Sequence, residues 1–198
     1  MTSNRLNLRR QLFALAAQQG GYFSAAQAKA AGYSYQAQAY HVGAGNWLRV
    51  DRGVFRLADW VPELHDDLIR WTFWSKGRGV ISHETAIAVY GIGEFESASV
   101  HLTVPVGFRM RDAAITLHFA DLPSSDIVGH SGYRVTTVLR SLVDVAASGA
   151  DADQLARAIY ESIAGGHLTL HQLRARAEEI DLRAALQIER ALQHAPTA

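Results

Sequence analysis

Arg49, Arg52 and Arg56 punctuate the segment "WLRVDRGVFRL", and Ser34, Tyr35, Gln36, Gln38, Tyr40 and His41 crowd the ten residues from 34 to 43 that precede it. Arginine presents a rigid fork of donors that matches a phosphate. A glutamine amide can pair with both hydrogen-bonding positions of an adenine edge, and Ser, Tyr and His reach phosphates or base edges. Arg5, Arg9, Arg10 and Lys29 add positive charge close by in the chain. Together these side chains could grip the backbone of a DNA duplex and read a groove. The competing reading is that three arginines only solvate the edge of a hairpin. The 34–43 stretch carries no Lys or Arg of its own, which is unusual for a strong base reader.

Other chemistry finds less support. There are nine histidines and no cysteine, so thiol catalysis, disulfides and cysteine-bound zinc are excluded. His83-Glu84 lacks the second histidine four residues on that a zinc-protease helix requires. His101 and His118 fall on expected strands among apolar neighbours and read as hydrogen-bonded structural residues. "GAG" and "KGRG" are too short for phosphate loops. Asp66-Asp67 and Glu178-Glu179 are adjacent pairs that point apart on a helix. Asp144 stands in an apolar helix four residues after Arg140, a spacing that suits a structural ion pair. No nucleophile with a recognisable base emerges, so no catalysis, no metal and no cofactor are expected.

The elements that would carry the basic residues follow from periodicity. Leu6, Leu8, Leu12, Phe13, Leu15 and Ala16 recur at helical spacing until Gly20-Gly21. Ser24 and Gln27 have capping-box spacing for a short second helix that ends at Gly32. Ser34 can cap a third helix running to Gly43–Gly45, with Ala39 and Val42 on its buried side. Two helices joined across a glycine turn are the helix-turn-helix layout. Residues 47–50 and 54–57 then read as a hairpin turning at Gly53, so a winged helix-turn-helix is expected over residues 1–60.

Residues 58–66, with Pro62, form the expected linker. Beyond it, "ELHDDLIRWTFWSKG" predicts a helix with Leu64, Leu68, Trp71 and either Phe73 or Trp74 inward. "ISHETAIAVYGIG" predicts a helix begun by Ser82, and "SVHLTVP" and "AITLHFA" alternate as half-buried strands. A strand and helix in "GYRVTTVLRSLVDVAASG" precede three more helices, capped by Asp151, by the Thr169–Gln172 box, and beginning near Asp181. The expectation is an α+β chain in two domains, 1–60 and 61–198, the second with a small sheet and a helical C-terminus.

Charge supports the division. Residues 1–60 carry a net charge of +5, and residues 61–198 carry −5, for a total of zero. A basic end on an acidic remainder suggests nucleic acid at one end and a different partner at the other. No apolar run nears the roughly 18 residues of a membrane span. "MTSNRLNLRR" followed by the interrupted "QLFALAAQQGG" reads as a first helix rather than a secretory signal, which predicts a cytoplasmic protein.

Gly21, Phe23, Ala28, Ala31 and Gly32, followed by Gly45, Trp47, Arg49, Val50, Arg52, Gly53, Val54, Phe55, Arg56 and Leu57, resemble the N-terminal domain of the AbiEi antitoxins. These are the antitoxin half of type IV, abortive-infection toxin–antitoxin systems. "ISHETAIAVYGI", "SVHLTVP" and "RVTTVLRSLVDVAASG" resemble the family's larger domain, so the likeness spans about residues 8–170. It implies a winged helix that binds the operon's own promoter at inverted repeats, as a transcriptional autorepressor. It also implies a C-terminal domain that counteracts a nucleotidyltransferase-type toxin, with or without direct binding. The family's recognition helix is richer in Arg or Lys than the Gln, Tyr and His found here. The alternatives are a winged-helix protein-interaction module and a stand-alone regulator without a toxin.

Overall fold

The computed structural model describes residues 2–95 and 97–193. It is α+β, and the chain divides into two compact units. The first combines the chain up to Arg78 with the short return Gly129–Tyr133, and the second combines Gly79–Val128 with the chain from Arg134 onward.

In the first unit, helix α1 (Thr2–Ala17) leads into strand β1 (Tyr22–Ser24), helices α2 (Ala25–Ala30) and α3 (Tyr35–Gly43), strands β2 (Trp47–Asp51) and β3 (Val54–Leu57), and helix α4 (Ile69–Trp74). The strands form an antiparallel sheet in the order β1-β3-β2. Gly20 and Gly21, at φ 58° and 82°, reverse the chain after α1, a conformation in which a Cβ is strained. Ser24 accepts from the Gln27 amide, and the Gln27 side chain accepts in return from Ser24 N–H, so the expected capping box forms. Strand β1, absent from the sequence expectation, pairs Phe23 with Phe55 and makes the wing a three-stranded sheet. Its three residues are too few to show a period of two.

Phe23 is wholly buried and meets Trp47 edge-on at 4.8 Å, with Phe55 at 5.9 Å. Leu12, Ala16, Ala28 and Tyr33 complete this core. Aromatic rings bury large areas with few rotatable bonds, so this cluster stabilises a unit of modest size.

Compactness places the division at Arg78–Gly79, beyond the expected boundary at residue 60. The reason lies in α4 and the turn before it. Ile69 is 1% exposed, and its Cδ1 would stand 2.3 Å from a Cβ on Gly20. Trp60 lies equally close over Gly21. The expected helix from Glu63 shortens to a 3-10 turn at Asp66–Leu68 followed by α4. Leu64 is turned out at 84% exposure, and Ile69 takes the inward place it was expected to fill.

The second unit contains β4 (Val80–Ile81), α5 (His83–Val89), β5 (Val100–Val104), β6 (Ile115–Phe119), all but the last residue of β7 (Ile127–Gly129), β8 (Arg134–Thr136), and helices α6 (Val138–Ala147), α7 (Ala152–Ala164), α8 (Leu170–Ile180) and α9 (Leu182–Gln193). The sheet order is β6-β5-β4-β8-β7, with β5 and β6 parallel and β4 antiparallel to β5. The end of the predicted last helix, at His194–Ala195, lies outside the described residues. Asp151 caps α7, and Thr169 with Gln172 forms the capping box of α8. Leu142, Leu155, Ile159, Leu173 and Ile188 pack the helical core at 0–1% exposure.

Helix α6 also buries Arg140 and Asp144. Arg140 Nε donates to Asp144 Oδ1 at 2.8 Å, the pairing expected from their spacing. Arg140 Nη1 donates to Asp126 Oδ2 at 3.0 Å, and Arg176 Nη2 bonds the same carboxylate at 2.8 Å. Two cations against two anions leave this buried group neutral. Burial outweighs the Arg140 guanidinium at Asp144 and pushes its carboxyl up to about 6. Its Oδ2 is buried without a hydrogen-bond partner, which is consistent with a carboxylate poorly solvated in its charged form.

Candidate nucleic-acid interface

Helix α3 stands on the wing through an aromatic clamp. The His41 ring stacks on Trp47 at 4.7 Å and 14°, and Tyr33 meets the edge of the same indole at 5.1 Å. Because only three residues separate α3 from β2, this clamp fixes the helix axis against the hairpin. Nine residues at 1.5 Å each make α3 roughly 13 Å long, a length that lies within a major groove.

The helix rotates differently from expectation. Its inward side is Ala37, Gln38, His41 and Val42; Ala39 is exposed. Gln38 is 3% exposed and donates from Nε2 to the carbonyls of Tyr33 at 3.0 Å and Ala25 at 3.1 Å. The expectation that Gln38 reads a base is therefore corrected, since its amide is spent holding α2 to α3. His41 is partly buried, and burial lowers its pKa, which disfavours the charged form that would pair with phosphate. Ser34 Oγ accepts from Ala37 N–H at 3.2 Å and acts as the helix cap.

Tyr35, Gln36, Ala39 and Tyr40 form the outward face. Tyr35 and Tyr40 are 64% and 69% exposed, well beyond what packing would leave. Lys29 on α2 sits over the Tyr35 ring at 5.2 Å and brings a cation to the helix face that has none of its own.

On the wing, Arg49 pairs with Phe55 across the strands, and its guanidinium lies 5.8 Å from that ring. The register shifts between Arg49 and Asp51, leaving a bulge at Val50, and the turn at Arg52-Gly53 has Gly53 at φ 71°. Arg49 and Arg52 are exposed. Asp51 beside them is approached by Arg70 at 3.9 Å, which offsets the acid nearest the arginines. Arg56 turns the other way. It lies over Tyr22 at 5.8 Å and 3.7 Å from the buried Asp66. The expectation that it meets DNA is corrected accordingly. Burial raises the Asp66 pKa, and Arg56 opposes that rise.

Arg5, Arg9 and Arg10 are exposed on α1. Arg5 and Arg9 also line a cavity of about 480 Å³ with Leu8, Tyr33, Trp47 and Trp60.

Elsewhere, the second unit gathers three residues that sequence spacing left apart. His83, His101 and His118 each offer a ring nitrogen within 4.8 Å of the others. Their sequence separations carry no motif. The parallel pairing of β5 with β6 is what sets Thr103 opposite His118, one step diagonally from His101.

Three helices and a three-stranded wing, with an exposed third helix beside two exposed arginines, define a winged helix-turn-helix. Residues 10–58, from α1 to the end of the wing, match the family model described as transcriptional regulator, AbiEi antitoxin. That family consists of regulators rather than enzymes. No curated protein matches the chain. Among solved structures, the chain is similar to the RV2827C protein from Mycobacterium tuberculosis, at 10% identity and a TM-score of 0.58 over 94% of this chain and 76% of that one. Such a likeness concerns the fold. No helix among the described residues is long and apolar enough to cross a membrane.

Proposed function

We propose that this protein is a DNA-binding antitoxin that represses its own promoter and counteracts a nucleotidyltransferase-type toxin. Tyr35, Gln36 and Tyr40 contact the groove, Arg49 and Arg52 hold the phosphates, and Arg5, Arg10 and Lys29 contribute longer-range attraction. The second unit acts on the toxin and carries no catalytic step. The reading rests above all on the two exposed wing arginines beside an outward α3 face, within the segment that matches the AbiEi regulators.

The test is fluorescence anisotropy of the full chain on the DNA upstream of its gene, at two salt concentrations. Affinity falls steeply with salt, by a log–log slope of about −0.9 for each phosphate neutralised. The double variant Arg49→Glu, Arg52→Glu abolishes binding while the circular dichroism stays native. Unchanged binding would refute the assignment. Co-expression with the adjacent toxin gene tests the second half: growth returns with the wild-type chain, and failure to protect removes the antitoxin role.

The bare α3 face favours a second reading. With no Lys or Arg on the helix and two exposed tyrosines, the winged unit also suits a protein contact, since tyrosine is enriched at such interfaces. In that case the chain shows no DNA affinity even at low salt.

A further inference from the structure

We propose that His83, His101 and His118, with Glu84 beside them, form a binding site for a divalent transition metal of the zinc class. The three histidines come from the start of α5 and from the adjacent strands β5 and β6. Imidazole nitrogens with a nearby carboxylate are the donor set that suits zinc.

The hydrogen-bond inventory points to a cation. His101 Nδ1 faces His118 Nε2 at 3.1 Å and Glu84 Oε2 at 2.8 Å. One nitrogen can carry one proton, yet two lone-pair atoms converge on it. The only group close to the buried Glu84 Oε2 among the described residues is His101 Nδ1, at 2.8 Å and off the best hydrogen-bond angle. A metal ion supplies the missing positive charge to all three atoms at once.

The surroundings suit the same role. His83 Nδ1 lies 2.9 Å from Ser82 Oγ, which in turn accepts from Thr103 Oγ1 at 2.7 Å. A ligating histidine is commonly held by such a bond through its other ring nitrogen, and here it leaves Nε2 free. This engagement also explains why Ser82, expected to cap α5, makes no side-chain cap bond. His83 adopts φ 54°, a left-handed backbone that costs energy in a residue with a Cβ and tends to be kept at functional sites. The His83 and His118 rings stack at 3.4 Å and 16°. Coordination tilts them apart until their lone pairs converge. The nitrogens, now within 4.8 Å of one another, then close to the roughly 3.3 Å that metal–nitrogen distances of 2.0–2.1 Å imply.

The experiment uses the full chain, purified without a polyhistidine tag and stripped with chelator. Zn(II) is titrated against a chromophoric competitor, and Co(II) is followed by its visible absorption. The expected result is one equivalent of either ion, a Co(II) band of four- or five-coordinate nitrogen–oxygen type, and a higher Tm with Zn(II). His101→Ala with His118→Ala loses about 100-fold or more in affinity, and Glu84→Gln loses about 10-fold. Where the double variant does not fold, imidazole ¹H–¹⁵N spectra of the wild-type chain decide. Zn(II) perturbs His83, His101 and His118 in the supporting outcome. No stoichiometric uptake, uptake unchanged in the folded double variant, or perturbation confined to exposed rings such as His130 and His171 would overturn the proposal.

Discussion

The side chain of Gln38 donates to the carbonyl of Tyr33 at 3.0 Å from a position that is 3% exposed. A residue on the expected reading helix is therefore a strut within the helix-turn-helix, with a second bond to Ala25. Gln38→Ala should destabilise the first unit by about 1–3 kcal/mol, because two carbonyls lose a buried donor. Below its lowered Tm the variant should bind DNA as the wild type does. Denaturant melts and anisotropy on the same sample check both halves.

Tyr35 and Tyr40 should behave in the opposite way. At 64% and 69% exposure they contribute little packing, so Tyr35→Ala and Tyr40→Ala should each change stability by no more than about 0.5 kcal/mol. Each should weaken DNA binding measurably. Equal affinity in both variants would move the interface off α3.

Arg56 separates stability from recognition on the wing. It is the cation beside buried Asp66, 3.7 Å away. Arg56→Ala should cost about 1–3 kcal/mol at pH 7 and less at acid pH, because burial raises the Asp66 pKa and the protonated carboxyl needs no partner. Its DNA affinity should stay close to wild type, in contrast to Arg49 and Arg52. Urea melts at the two pH values provide the comparison.

Asp144 sets a pH dependence. Its carboxyl titrates near 6 in the folded chain because burial outweighs Arg140, against about 3.9 when unfolded. Between those values the unfolded chain has released the proton and the folded chain keeps it. Stability therefore falls as pH rises from about 4 to 6, by roughly 2–3 kcal/mol from this group. Asp144→Asn should flatten that part of the stability–pH curve. An unaltered slope would locate the dependence elsewhere.

Gly21 tests the reversal after α1. A Cβ there would stand 2.3 Å from the Trp60 ring, at φ 82°. Gly21→Ala should cost more than about 1 kcal/mol, from left-handed backbone strain plus overpacking. Gly53→Ala, where the nearest atom is 3.8 Å away, isolates the strain alone. Thermal melts of the two variants separate the terms.

The parts legible in the sequence are those decided by near neighbours. The Ser24–Gln27 and Thr169–Gln172 capping boxes, the Asp151 cap and the Arg140–Asp144 pair all join residues within four positions. The wing hairpin was equally legible, because strand alternation and Gly53 are local signals. The rotation of α3 was not. The alternation of Ala and polar residues in "YQAQAYHVG" marks no clear apolar stripe, and a glutamine at the core contradicts the usual polar-out pattern. What places Gln38 inside is a pair of carbonyls contributed by Tyr33 and α2, which no periodicity reveals.

From the sequence alone came the α+β class, the winged helix-turn-helix and its basic surplus, since helix caps, turns and charge are properties of short stretches. Only the tertiary structure decided which arginines remain free and which is spent on Asp66. It also carried the first unit past the linker to Arg78 and drew His83, His101 and His118 together. The physical reason is that strand register and burial depend on partners far along the chain, and a side chain's chemistry is set by what those partners leave it facing.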